Sequence, residues 1–158
     1  MEWNDPSTKT WNTGDLVTAD DLNKYLNANL SYLFAPAYQE IALTGAFSTT
    51  STSYVDVSSM SVTVETTARN LLIVVFGRLY NSVGNYNSTL GINLDGTDYD
   101  VNDVTGGMPG PCVLVFQRFV VTPGNHTVKL RLRSSNSGGS ASLAGGPTRR
   151  LIAVEGVL

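Results

Sequence analysis

The sequence predicts a mainly β fold: an antiparallel β-sandwich of jelly-roll type with about eight strands, preceded by an extended arm and one short α-helix. Three observations predict it. From residue 37 onward, apolar and polar residues alternate at period two, the signature of strands with one buried face. Turn residues separate these runs at the spacing of a sandwich. Finally, only 15% of residues are charged, below the usual ~25%. Ser (15), Thr (17), Asn (13) and Gly (15) take their place, whereas a helical bundle would need Glu, Lys, Arg and Ala on its surface.

Length and composition bound the rest. The 158 residues make one domain plus an arm, a size that needs no metal or disulfide to fold. An apolar fraction of 42% with a net charge of −3 excludes intrinsic disorder and argues against nucleic acid as a partner. The single cysteine, Cys112, cannot form an internal disulfide. The polar start Met1-Glu2-Trp3-Asn4-Asp5-Pro6 lacks the features of a secretion signal. The longest apolar run, Leu71–Phe76, is far too short to cross a membrane as a helix, so no membrane partner is expected.

Taken in order, residues 1–17 lack periodicity and read as an arm carrying both tryptophans, Trp3 and Trp11. Such rings suit docking into a partner or folding back on the chain's own domain. Residues 18–35 read as a helix. Thr18 is its N-cap and Asp21 stands three residues on, a capping box with Asp in place of Glu. Ala19, Leu22, Leu26, Leu30 and Leu33 form one apolar stripe, and Pro36 ends the element. Domains of 1–36 (anchoring arm and helix) and 37–158 (sandwich) follow.

The strand signals come next. Tyr54–Val57 and Ser61–Val64 alternate. The unbroken run Leu71–Phe76 predicts a strand covered on both faces. Leu90, Ile92 and Leu94 alternate with Thr89, Gly91 and Asn93, and Cys112–Val121 forms another strand. In His126–Arg133, Val128, Leu130 and Leu132 point one way. Leu151–Val157 is the last strand. Asp95-Gly96 signals a hairpin and Thr122-Pro123-Gly124-Asn125 a type II turn. Residues 136–147, rich in Ser, Gly and Ala, read as a long surface loop.

The segment Thr10-Trp11-Asn12-Thr13-Gly14-Asp15-Leu16-Val17-Thr18-Ala19-Asp20-Asp21-Leu22-Asn23 resembles an N-terminal module of tailed-bacteriophage virion proteins. That module runs Trp, Gly-Asp, Val-Thr-Ala, then Asp-Leu-Asn into a short helix. The remainder carries a Leu-Asp-Gly hairpin and a Thr-Pro-Gly-Asn-His-Thr-Val turn, and is similar to small jelly-roll domains of phage fibres and decoration proteins. It is similar also to the trimeric jelly rolls of the tumour-necrosis-factor and C1q type. The resemblance implies a homotrimer whose arm fixes each subunit to the virion.

Catalytic chemistry is not expected. His126, the sole histidine, follows a turn with no nucleophile elbow near it, and Cys112 reads as a buried, inert thiol. No Cys/His spacing fits zinc and no Gly-rich loop precedes a helix, so no cofactor is expected. The stretch Asp95, Asp98, Asp100, Asn102, Asp103 offers oxygen ligands for calcium, but its spacing is not the EF-hand's. A solvated acidic hairpin accounts for it equally, and no metal site is assigned. Tyr80, Tyr86 and Tyr99 with Asp98, beside Asn81, Asn85 and Asn87, could build a shallow sugar site. The same rings would also suit strand ends or a subunit seam.

The expected function is therefore a non-enzymatic phage virion structural protein, tail- or fibre-associated and contacting the host. A capsid decoration protein or head fibre that stabilises the shell is the first alternative, and a lectin-like carbohydrate-binding module the second. Trp3, Trp11, Leu22, Leu26, Leu30 and Leu33 are the expected anchoring residues. Expected partners are further copies of the chain, other tail, baseplate or capsid proteins, and a host-surface glycan. The expected location is the virion, assembled in the host cytoplasm.

Overall fold

The computed structural model describes residues 18–22, 37–67, 70–107, 110–144 and 149–156. Within them lie α1 (Ala19–Leu22) and ten strands: β1 (Tyr38–Leu43), β2 (Ala46–Thr49), β3 (Val55–Thr66), β4 (Asn70–Asn81), β5 (Asn87–Leu94), β6 (Thr97–Thr105), β7 (Cys112–Val120), β8 (Gly124–Ser134), β9 (Ala141–Ala144) and β10 (Arg149–Gly156). The chain is mainly β, as the alternation predicts. α1 begins with the expected capping box: Asp21 N–H donates to Thr18 Oγ1 at 3.1 Å, and Thr18 N–H donates back to Asp21 Oδ2 at 3.2 Å. The rest of the predicted helix, with Leu26, Leu30 and Leu33, lies outside the described residues, as do Trp3 and Trp11.

All pairings are antiparallel. β10 pairs with β4 over residues 70–76 and β9 pairs with it over 78–81, while β7 lines the opposite edge of β4. β1 pairs with β10, and β2 with β9. β1 and β2 are thus one strand interrupted at Gly45, which takes a positive φ of 87°, and β9 and β10 are another. Counted so, there are eight strands. The first sheet runs β1/β2, β10/β9, β4, β7 and the second runs β3, β8, β5, β6. In chain order these are 1-8-3-6 and 2-7-4-5, the double Greek key of a jelly roll.

The core lies between the sheets. Val57, Met60, Val62 and Val64 of β3, Leu71, Ile73, Val75 and Leu79 of β4, Leu90 and Ile92 of β5, and Val128, Leu130 and Leu132 of β8 meet there. Leu143, Leu151 and Ala153 close it from β9 and β10. The Asp95-Gly96 turn has positive φ at both residues, 50° and 91°, as a two-residue hairpin of the right twist requires. Gly124, after Pro123, also takes a positive φ.

Four sequence expectations need correction. Residues 136–147 are not all loop: β9 sits inside that stretch with Ala141 and Leu143 fully buried. Val55–Val57 and Ser61–Val64 are not separate elements but parts of β3, which Tyr54 immediately precedes and whose register slips between Asp56 and Ser61 at a bulge carrying Ser59 at φ 58°. The apolar run in β4 is fully buried on one face only; Leu72, Val74 and Phe76 are half-buried on the other. Cys112 is exposed, because the pleat of β7 turns it to the outer face.

Candidate assembly surface

In the first sheet the odd-numbered residues face the core and the even-numbered ones face out. The register aligns the outward side chains into rows. Phe76 lies between Arg150 and Leu114, Val74 between Ile152 and Phe116, and Leu72 between Val154 and Arg118. Tyr38 stands beside Val154, and Val120 beside Asn70. An outer sheet face normally carries polar residues at these positions. Here Leu114 is 56% exposed, Phe116 63%, Val120 74% and Tyr38 51%. With ~4.8 Å between strands and ~3.3 Å per residue, the face measures roughly 14 Å by 20 Å between backbone axes. A patch of a few hundred Å2 is the size at which an interaction site is the ordinary explanation.

Charge sits at the rim of this face. Arg78, Arg118 and Arg150 are exposed there, with Glu40 as the acidic member. Arg150 Nη1 donates to Glu40 Oε1 at 2.6 Å, and the Tyr38 hydroxyl donates to the same carboxylate. The tyrosine hydroxyl, seconded by Arg150, keeps the Glu40 carboxyl below the ordinary carboxylate range. The margin is β7, which pairs only with β4 among the described residues. An apolar edge strand of nine residues without a second partner is a template for association. The edge strands of the other sheet, β3 and β6, are instead each interrupted by a shift in register.

The outer face of the second sheet is the opposite in character. Arg131 bridges Asp56 (Nε–Oδ1 2.8 Å) and Asp98 (Nη1–Oδ2 2.7 Å), Lys129 reaches Asp56 at 3.1 Å, and Arg133 reaches Asp100 at 3.0 Å. Tyr54 donates its hydroxyl to Asp100 at 2.5 Å, and the Arg133 guanidinium lies 5.0 Å from its ring centre. Burial and that hydrogen bond raise the phenol's pKa. A Cβ on Gly91 would come within 2.6 Å of the Tyr54 ring, so the glycine is what allows the ring to lie across β5. The ion pairs of this ladder are all formed within the chain, although Arg131 Nε and Arg133 Nε are buried without a hydrogen-bond partner of good geometry.

The predicted sugar-site residues are not brought together. Tyr86 sits in the loop after β4, against Gly138 and Gly139 of the loop after β8. Tyr80 is half-buried near that end of β4. Tyr99 lies opposite Ile92, five residues along β5 from Asn87, roughly 17 Å away. Its ring packs on Phe119 with centroids 4.8 Å apart, closing the side of the sandwich between β6 and β7. Asp98 is held by Arg131 and by Asn93 Nδ2 at 2.6 Å, and Arg131 above all keeps its carboxyl low. Asn81 is buried, not a loop ligand.

The other acidic residues of the supposed calcium stretch also have separate protein partners. Asp95 meets His126, Asp100 meets Arg133 and Tyr54, and Asp103 accepts from Asn87 and Thr89. Cys112 and His126 lie at opposite ends of the sandwich, since β7 begins at one end and β8 at the other. Leu22, the one predicted anchoring leucine that falls in a described element, is the last residue of α1.

Two features escaped the sequence reading. Arg149 is buried, its Nη1 donating to Gly45 O at 3.0 Å across the break between β1 and β2, and burial lowers its pKa. The outward apolar face was hidden because an unbroken apolar run reads as doubly covered; only the exposed Leu114, Phe116 and Val120 on the neighbouring β7 betray it.

No family model and no curated protein sequence matches the chain. Among solved structures, it is similar to the VP2 subviral particle of infectious bursal disease virus, at 17% identity and a TM-score of 0.49. That match covers 76% of this chain and 37% of VP2, so the chain spans little more than a third of that protein's length. It is similar to the Eiger TNF of S. frugiperda at 10% identity and a TM-score of 0.42, covering 77% of this chain and 94% of that one. A cycloisomaltooligosaccharide glucanotransferase of Paenibacillus sp. matches at 16% identity and a TM-score of 0.34, over 75% of this chain and 16% of the enzyme.

Proposed function

We propose that the chain is a non-enzymatic structural protein of a virion surface, a homotrimer held through the even-numbered face of its first sheet and attached to the particle by residues 1–36. One observation carries the reading: an apolar outer sheet face bordered by an edge strand open to further pairing. The occupant is a second copy of the chain. The rim supplies both signs of charge, so one surface can complement another of the same composition, and a closed ring reuses a single contact. Fully burying a Leu or Phe side chain contributes about 1.5–3 kcal/mol.

The attachment role rests on the Trp-Gly-Asp-Val-Thr-Ala-Asp-Leu-Asn resemblance in residues 11–23, which favours a tail- or fibre-associated place. Residues before Ala37 join the sandwich at one end, while the loops after β4, β6 and β8 lie at the other. Anchoring through the arm would turn those loops outward, toward a host.

Sedimentation equilibrium of the full-length protein at micromolar concentration tests assembly: a trimer is expected, and a monomer overturns it. Particles labelled with an antibody to residues 37–158 test location. Tail labelling is expected. Shell labelling, with a deletion phage that adsorbs normally but loses heat resistance, would assign the chain to capsid decoration instead.

A further inference from the structure

His126 is the only histidine in the chain, buried at the start of β8. Each ring nitrogen faces an oxygen that can only accept. Nδ1 lies 2.6 Å from Asp95 Oδ2, and Nε2 lies 2.6 Å from the main-chain oxygen of Thr122. A neutral imidazole has one N–H and would turn a lone pair on the second oxygen; the doubly protonated ring satisfies both. Asp95 cannot swing aside easily, because its Oδ1 accepts the Thr127 N–H at 2.8 Å and its backbone is fixed in the two-residue turn.

The surroundings supply no competing charge. β3 places apolar Val64 opposite the histidine, and Glu65 is exposed on the other face of that strand. From the β7 side come Val121 and Thr122, which are uncharged. Asp95 is the charged group that acts on the ring.

We propose that His126 is an imidazolium at neutral pH and serves as a proton-dependent clasp, joining the β5–β6 turn to the β7–β8 turn at the end of the sandwich where residues 1–36 attach. The Thr122 oxygen that receives Nε2–H also receives the Thr66 hydroxyl at 3.3 Å. The next residue, Thr67, donates its N–H to Glu155 Oε1 at 2.6 Å. Glu155 in turn donates its N–H to Ala37 O at 2.8 Å. The clasp therefore stands at one end of a short hydrogen-bonded series whose other end holds Ala37, the residue that follows the arm and helix segment in the chain.

The direction of the pH effect follows from the pair. Asp95 first, then the Thr122 carbonyl, raise the histidine above its ordinary 6.5 against the opposing effect of burial. Its contribution is complete below pH 6.5 and is lost as pH rises through the folded value. Asp95, held below its ordinary 3.8 by His126 and the Thr127 N–H although burial opposes them, contributes above pH 3.8 and loses that contribution as pH falls through its lowered value.

Long-range 1H–15N correlation spectra of the 15N-labelled full-length protein test the clasp directly, since a sole histidine needs no assignment. Both ring nitrogens are expected to carry protons at pH 7, with a midpoint above 6.5 and, beyond that midpoint, a fall in the protection factor of the Thr127 amide relative to its intrinsic exchange rate at the same pH. One unprotonated ring nitrogen at pH 7, or a midpoint at or below 6.5, overturns the proposal. Asp95→Asn should lower the midpoint and remove the pH dependence of the Thr127 protection factor; an unchanged midpoint would overturn the clasp. If that variant does not fold, the wild-type titration alone is decisive.

Discussion

Asn81 shows how differently a residue reads alone and in place. In the sequence it heads a polar stretch beside two tyrosines and suggests a ligand-binding loop. In the fold it is wholly buried: its Nδ2 donates to Asn87 O at 3.1 Å and Ser134 Oγ at 3.0 Å, and its Oδ1 accepts the Val83 N–H at 3.1 Å. It pins the ends of β4, β5 and β8 together. Asn81→Ala strands these partners and opens a void, so calorimetry should show a loss of about 2–3 kcal/mol. The aspartates after residue 94 follow the same logic. A calcium ion would stabilise the fold by mass action, by about 2.7 kcal/mol at a hundred times its dissociation constant. Since Asp95, Asp98, Asp100 and Asp103 each have a protein partner, excess EDTA should leave the Tm unchanged.

At the scale of elements, the period-two signal located most strands but misjudged how their faces are covered. β4 and β5 are the instructive pair. β4 reads as apolar on both sides, yet its even-numbered face is only half-buried. β5 alternates like a half-exposed strand, yet from Ser88 to Leu94 it is buried on both sides, with Tyr54 lying over Gly91. Hydropathy records what a face is made of, and what comes to lie upon it is decided by residues far away in sequence. The turns were legible because their φ requirements are local, as at Asp95-Gly96 and Gly124. β9 was not, because four residues amid Ser and Gly are too short to show a period. Leu143 separates the two readings of that stretch. In a surface loop Leu143→Ala would be nearly neutral; in β9, paired with β2 and β4 and fully buried, it should cost about 2–5 kcal/mol by denaturant unfolding.

For the whole molecule, the buried core among the described residues runs from Val57 to Ala153, a set that by itself joins both sheets. Removing residues 1–17 should therefore leave a cooperative β domain while abolishing attachment to the particle. The assembly face can be tested separately from both. Leu114 and Phe116 are more than half exposed in the single chain, so replacing both by Glu removes little that one subunit uses for folding. In a trimer the same changes would bury two unpaired carboxylates, each costing several kcal/mol, against side chains that had each contributed about 1.5–3 kcal/mol. The double variant should therefore keep the far-UV circular dichroism of the wild type but sediment as a monomer, and its Tm should lose the dependence on protein concentration that a trimer shows. A variant that remains trimeric would move the contact to another face, and one that unfolds would mean that these side chains support the single subunit after all.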